Sequence, residues 1–474
     1  MKLALMAATL GALSGCNVLT SLEDCRVDSD CPLQQVCGDG NFCQTDQTAY
    51  FIPSFFPNAA FEDLRPDFEA ATAIAVDLIN ENGGVAGRPV RTELIEDRPE
   101  ETHRMGLEQV SAQRIPGLVG GSSVEPARLQ QEFAAREQFL AIDTVSEDPE
   151  LTTLQPPTDR WFFRLTPPAD RSSAAALAMH LAATRPCGSL VTISDERRFA
   201  QAYTNSFIRS FEKTGGCVSA QVDVSRGALT YTDAVQVLID ERPECALISA
   251  GSQTNGPTIL REFATAIQGQ DWSDFTLLGG GNFAQDDVEF LLRSRIDPEQ
   301  PTPSSAEGML ISLAAIDPTR VATRFFRERF RERRGLAPDA PVSSATEEYF
   351  DGIMLVALSI ARAGGDRDRV LLRDSFWDIT DVGGGRVAYS AADYPSLINE
   401  LLAGQPVHYI GASGDMEFSE LGITSRPSTV FQVQDGALVD VARFESAETV
   451  EFADGPGTPN PACPPTTRID LIVE

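Results

Sequence analysis

The stretch AIAVDLINENGGVAGRP, residues 73–89, decides how the rest of the chain is read. From Pro66 the apolar positions Phe68, Ala71, Ala75, Leu78 and Ile79 recur at helical spacing, and Asn82-Gly83-Gly84 supplies the left-handed stop that glycine takes without steric cost. Gly87-Arg88-Pro89 releases the chain into a short apolar strand, residues 90–95, closed by Glu96-Asp97. The pattern then recurs. A second helix precedes Gly117-Leu118-Val119, the loop Gly120-Gly121-Ser122-Ser123 follows, a helix starts near Pro126, and residues 139–142 form the next strand. Strands and helices alternating through short connections predict an α/β fold with a parallel sheet covered on both faces.

Residues 160–165 and Pro167-Pro168 read as a crossover, after which the alternation restarts. A helix over 172–184 leads into strands at 189–193, 218–224, 246–249 and 275–278, with loops at Ser194-Asp195, Gly251-Ser252 and Gly279-Gly280-Gly281. Residues 307–313, 321–334 and 346–363 read as helical material returned to the first unit. Residues 409–441 read as short strands with turns at Gly422 and Asp435-Gly436. The expected organisation is two doubly wound lobes, the first from 48–167 and 305–407, the second from 168–304 and 408–447, with an irregular Pro-rich tail at 448–474.

The N-terminus carries a different signal. Residues 3–13 are apolar and follow one basic residue, a run far shorter than the ~20 residues a membrane-spanning helix needs but ordered like an export signal. Leu13-Ser14-Gly15-Cys16 closes it as a lipobox, so residues 1–16 are expected to be a lipoprotein signal peptide and Cys16 the lipidated first residue of the mature chain. An ordinary signal peptide with an incidental cysteine is the competing reading. Of the nine cysteines, eight remain after Cys16. Cys25, Cys31, Cys37 and Cys43 are evenly spaced in a segment, 17–47, that has no apolar periodicity and must be held by covalent staples. Two disulfides fit an exported chain better than zinc, and their connectivity cannot be read from spacing. Cys187, Cys217 and Cys245 each open a strand of the second lobe, so they share one sheet edge where neighbours reach disulfide distance, and Cys463 would pair with whichever is left.

Composition sets the class. With 42% apolar and 23% charged residues the chain buries a sizeable core, and a formal charge of −31 excludes a nucleic-acid backbone or an anionic bilayer face as the main partner. Lysine occurs only at Lys2 and Lys213. The run RFFRERFRERR, residues 324–334, is a solvated helix with Phe325, Phe326 and Phe330 as its buried stripe.

Residues 73–89 also resemble the helix, Gly-Gly turn and Gly-Arg signature of the type I periplasmic binding proteins of the leucine/isoleucine/valine class. Later pieces agree in order: the loop at 120–123, Asp148-Pro149-Glu150-Leu151-Thr152, Phe163-Arg164, Ala306-Glu307-Gly308-Met309, Tyr349-Phe350-Asp351-Gly352 with Ala363-Gly364, and Tyr409-Ile410-Gly411-Ala412-Ser413-Gly414 before Phe418. The resemblance covers about residues 49–441. It implies two Rossmann-like lobes joined by three crossings, with a hinged inter-lobe cleft that captures a small ligand for an ABC permease complex. Loops at the carboxyl ends of strands face such a cleft, which makes Ser122, Ser123, Ser146, Glu147, Phe199, Ser252, Gln253 and Asn282 the candidate ligand-binding residues.

Three positions depart from the amino-acid binders of that family. Glu147 stands where they place a Ser or Thr around the ligand carboxylate, Gly281 stands near the place of their acidic partner for the ligand ammonium, and Phe199 replaces a tyrosine-like wall residue. A plain α-amino acid is therefore expected to be a poor ligand. An enzyme is not expected: His103, His180 and His408 form no metal-spaced pair, Ser210-Phe211-Glu212-Lys213 lacks the companion motifs of a Ser-x-x-Lys catalyst, and Gly383-Gly384-Gly385 lacks the Gly-Lys-Ser/Thr of a phosphate loop. Neither a cofactor nor a metal site is expected, and a ligand-sensing lipoprotein without transport is the alternative function.

Overall fold

A computed structural model describes residues 48–472 except 57–63, 97–99, 113–114, 122–123, 153–158, 252–254, 281–282, 284–303, 344, 384 and 458–459. Before Thr48 it describes one antiparallel hairpin, β1 (Gln35–Cys37) and β2 (Cys43–Thr45), with Cys37 opposite Cys43. Cys16, where lipidation is expected, and Cys25 and Cys31, two of the four cysteines expected to pair before Thr48, lie outside the described residues.

The first sheet grows out of the stretch quoted above. The chain runs through β3 (Tyr50–Phe51), β4 (Ser54–Phe56), α1 (Arg65–Glu81), β5 (Val90–Arg91), β6 (Leu94–Glu96), α2 (Glu100–Ala112), β7 (Gly117–Val119), α3 (Val124–Glu137), β8 (Leu140–Asp143) and β9 (Phe162–Arg164). Five of these strands form one parallel sheet in the order β6-β4-β7-β8-β9. Helix α1 starts with Pro66 in its first turn and buries Phe68, Ala71, Ile74, Ala75, Leu78 and Ile79. It ends where Gly83 and Gly84 bond back to Asn80 and Ile79 at 3.0 and 2.9 Å. Gly84 has φ +73°, and a Cβ there would run into the Arg88 carbonyl, so no other residue fits the turn. Asn80 then ties helix to strand, accepting from Val90 N at 2.7 Å and donating to Val90 O at 2.8 Å. Pro53 separates β3 from β4, having no N–H for a ladder, while its carbonyl accepts from Val119 N at 3.0 Å.

The second sheet is mixed and eight-stranded, in the order β18-β17-β14-β13-β12-β10-β11-β19. It is reached through α4 (Ser173–Thr184), β10 (Ser189–Asp195), α5 (Arg198–Lys213), β11 (Cys217–Val224), α6 (Thr232–Glu241), β12 (Cys245–Ser249), α7 (Asn255–Ala266), β13 (Thr276–Gly279) and β14 (Leu310–Ala314). Period-two alternation splits its core: Val191, Ile193, Ala246 and Ile248 face α6 and α7, while Leu190, Cys245 and Leu247 face α4 and α5. The chain then returns to the first sheet with α8 (Val321–Arg334), α9 (Thr346–Ala363), α10 (Arg369–Thr380), β15 (Val387–Ser390), α11 (Tyr394–Leu402) and β16 (Val407–Ile410). Helix α9 is buried from Thr346 to Ala361 and packs on β7, β8 and α1. A last crossing leads to β17 (Ser428–Gln434) and β18 (Ala437–Phe444), and then to α12 (Ser446–Asp454) and β19 (Thr467–Leu471).

Two disulfides close the second sheet. Cys187 pairs with Cys245 and Cys217 with Cys463, at Cα separations of 6.0 and 5.2 Å. The expected geometry of a shared edge holds because β10 lies between β11 and β12, so residues opening these strands are neighbours.

Three expectations are corrected. Residues 307–313 are not helical material of the first lobe: Leu310–Ala314 is β14, paired parallel to β13 and antiparallel to β17, because its run of buried apolar residues suits a central strand. Residues 408–410 do not enter the second lobe but pair with β15, and Val407 and Tyr409 join the core of the first. The tail is not irregular: α12 and β19 are ordered, with β19 parallel to β11.

Candidate ligand-binding site

The loop after β8 holds the best-defined part of the site. Arg164, fully buried on β9, clamps it: Nη1 donates to Asp148 O at 2.8 Å and Thr152 Oγ1 at 3.2 Å, Nη2 donates to Ser146 O, and Nε faces Asp143 Oδ2 at 3.7 Å. Ser146 is buried, and its N–H donates to Asp143 Oδ1 at 3.4 Å. Glu147 follows, and its carbonyl accepts from Ala169 N at 3.0 Å, in the first crossing between the sheets.

The Glu147 carboxyl differs from its neighbours. It is half-buried, and among the described residues no group hydrogen-bonds to it. Burial pushes its pKa from 4.5 up to about 7, against the pull of the Arg164 and Arg426 guanidiniums and with a further push from Glu348. Glu348, in the first turn of α9, and Arg426, in the last crossing, form a buried ion pair. Among the described residues Glu348 Oε2 and Arg426 Nη2 have no hydrogen-bond partner. Neither residue was singled out from the sequence. They stand 78 positions apart, and no local pattern joins them.

Helix α5 comes near the Glu147 carboxyl at Tyr203. Tyr203 lies within electrostatic reach of Glu147: its hydroxyl is pushed above the ordinary range by burial, with the Glu147 charge adding to the effect, and it contacts Ser312 Oγ at 3.3 Å. Phe199 is one helical turn earlier, on the same face of α5. The Arg197 guanidinium covers the Phe199 ring at 4.5 Å from its centroid. Asp195, at the carboxyl end of β10, is fully buried and holds Arg197 through Nε at 2.9 Å. It also accepts from Gly251 N at 3.1 Å and Asn255 Nδ2 at 3.2 Å, joining the ends of β10, β12 and α7. The sequence marked Asp195 as a loop residue only. Ser122, Ser123, Ser252, Gln253 and Asn282, with Gly281, lie outside the described residues, but the backbone leading to Ser122 is fixed. Gly120 has φ +93°, and a Cβ there would strike the Phe55 carbonyl.

A second depression, of about 430 Å³, is lined by Asp374, Trp377, Asp378, Asp381, Glu417 and Phe418. Three of its acids are neutralised locally, Asp378 by Arg362 and Arg386, Asp374 by Arg373 and Asp381 by Arg386. Among the described residues no group of His, Cys, Asp and Glu could hold a metal ion, and no helix is long and apolar enough to cross a membrane.

A family model described as periplasmic binding protein matches residues 58–437. The chain belongs to the periplasmic binding protein family. This periplasmic binding protein has the type I fold, seen also in a leucine-binding protein from Thermotoga maritima at 17% identity and TM-score 0.64, covering 84% of this chain and 100% of that one. A solute-binding protein of an ABC transporter from Rhodopseudomonas palustris, in complex with 3,4-dihydroxybenzoic acid, is similar at 15% identity and TM-score 0.61, covering 84% and 98%. A branched-chain amino acid transporter substrate-binding protein from Streptococcus pneumoniae, in complex with isoleucine, matches at 14% identity and TM-score 0.61, covering 84% and 99%. No curated protein matches the chain in sequence. The family is one of extracytoplasmic substrate-binding proteins of ABC transporters and not of enzymes.

Proposed function

We propose that this binding protein is anchored to a bacterial membrane through a lipid on Cys16 and captures a small ligand between its two sheets for an ABC importer. The ligand is an aromatic or otherwise flat molecule that presents a hydroxyl or cationic group to Glu147 and an apolar face to Phe199. Ser122, Ser123, Ser146, Ser252, Gln253 and Asn282 complete the site. The observation that carries this reading is the Glu147 carboxyl, which lacks a protein donor and lies across from α5. A half-buried acceptor to which the protein gives no donor can take one from a ligand that displaces the water at it. Arg197, whose Nη1 has no protein partner among the described residues, is the cation on the opposite wall for a ligand carboxylate. A hydroxylated benzoate, the ligand type of the Rhodopseudomonas palustris relative, offers a hydroxyl, a carboxylate and a flat face for Phe199, whereas isoleucine, though its ammonium and carboxylate could meet the two charges, has no flat face.

Calorimetric titration of the mature chain with 3,4-dihydroxybenzoate and with leucine separates the cases. The benzoate is expected to bind at least tenfold more tightly, and micromolar binding of leucine would sink the reading. The anchor is tested apart from the ligand: the Cys16→Ala chain is expected to leave the membrane fraction, and its persistence there after a high-salt wash would refute lipidation.

A further inference from the structure

The family match ends at residue 437, and the chain beyond β18 adds a segment that returns to α5 and to the first crossing. Helix α12 is closed at its start by a reciprocal capping box between Glu445 and Glu448. At its end the Lys213 ammonium donates to the carbonyls of Phe452 at 3.4 Å, Ala453 and Gly455 at 3.2 Å, where a cation meets the negative end of the helix. Lys213 is the last residue of α5, whose first turn bears Phe199. Asp454 reaches the other way: its two oxygens accept from Arg171 Nη1 at 3.1 Å and Nη2 at 2.5 Å. Arg171 belongs to the 3-10 turn Ala169–Arg171 of the first crossing, and Ala169 N–H is the group that holds the Glu147 carbonyl. Downstream, Cys463 is bonded to Cys217 and β19 pairs along β11, the strand that follows α5.

We infer that residues 445–457 and 460–471 form a strap that positions helix α5 against the first crossing, with Lys213 and Arg171 as its polar fasteners and Cys217–Cys463 as its covalent one. A tail that only covered a sheet edge would need β19 alone. This one also sets its helix against α5, which carries Phe199, and against the turn whose Ala169 N–H holds the Glu147 carbonyl. The functional consequence rests on the reading of α5 as a ligand wall, but the strap is tested on the ligand-free mature chain, so the two fail separately.

Hydrogen exchange and amine acylation read the strap directly. In the Cys217→Ser/Cys463→Ser chain, exchange at residues 169–171 and 198–203 is expected to rise at least tenfold, with strands β12 and β13 unchanged. Acylation of Lys213 by an N-hydroxysuccinimide ester is expected to rise by a similar factor. Lys213→Ala is expected to raise exchange at 169–171 with the disulfide intact, and Lys213→Arg to restore it. Should the double variant fail to fold, Lys213→Ala and Asp454→Asn carry the same test. Faster exchange confined to residues 445–471 in every variant overturns the inference, as does a Lys213 whose acylation is unaffected by opening the disulfide.

Discussion

Asp351, buried on α9, and Glu147, half-buried in the loop after β8, are two acids that the fold treats in opposite ways. Asp351, on α9, receives four donors: Tyr409 OH and Ala412 N at 2.9 Å on Oδ1, and Ser413 N and Oγ at 2.7 Å on Oδ2. These bonds bind the Tyr409–Ser413 loop to the core helix. Glu147 receives none, although two guanidiniums lie near it. Burial wins in both cases, lifting Asp351 from 3.8 to about 6 and Glu147 from 4.5 to about 7. The difference lies in what the carboxyl is for. A structural acid has its donors built in, while an acid left without donors in a well-packed protein is available to something the chain does not supply.

The same isosteric change separates them most sharply. In Asp351→Asn either orientation of the amide turns an NH₂ against two donors, so two buried hydrogen bonds are lost and replaced by a donor clash. A loss of ~3 kcal/mol or more is expected, read as a fall in the midpoint of urea unfolding. An unchanged midpoint would mean that the loop does not depend on this carboxyl, and the contrast with Glu147 would collapse.

Glu147→Gln loses no protein hydrogen bond and removes a titration. The folded carboxyl holds its proton more tightly than the unfolded one, so its cost is absent below pH 4.5, grows as pH rises toward about 7, and persists above. The variant is therefore expected to be more stable than the parent by ~1–3 kcal/mol at pH 8, and to match it at pH 4. Urea midpoints measured across that range decide it. An equal gain at both ends would show that packing, not charge, is responsible.

How much of this could be read in advance follows the range of each signal. Asn82-Gly83-Gly84 announces the end of a helix because the interactions that fix it are local, Gly83 and Gly84 bonding back no further than Ile79. The pairing edge of Cys187, Cys217 and Cys245 was legible because sheet order constrains it. Leu310–Ala314 was misread because a short apolar run has the same appearance in a helix and in a central strand, and only its neighbours β13 and β17 decide. Thr467–Leu471 was missed for the opposite reason: its partly exposed edge position needs few apolar residues, and its partner β11 is more than two hundred residues away. The site shows the same division. Glu147 stood out as a charged residue in a loop that usually carries a hydroxyl, whereas Arg164, Arg426, Glu348 and Asp195 gain their roles only through tertiary contacts.

The third carboxyl in the comparison lies three residues from Glu147 and meets solvent. Glu150 accepts from Arg128 Nη2 at 2.6 Å, but the two side chains are 73% and 34% exposed. Water already solvates both charges, and fixing two long side chains costs about what the attraction returns, so Glu150→Gln is expected to change stability by no more than ~0.5 kcal/mol. Whatever change remains should vanish at ~1 M salt, where the screening length falls to about 3 Å. The Glu147→Gln gain, in a poorly solvated setting, should persist at that salt concentration. If salt abolished both effects alike, Glu147 would be an ordinary surface acid, and the distinction drawn between a carboxyl satisfied by the fold, one satisfied by water and one left for a ligand would reduce to the first two.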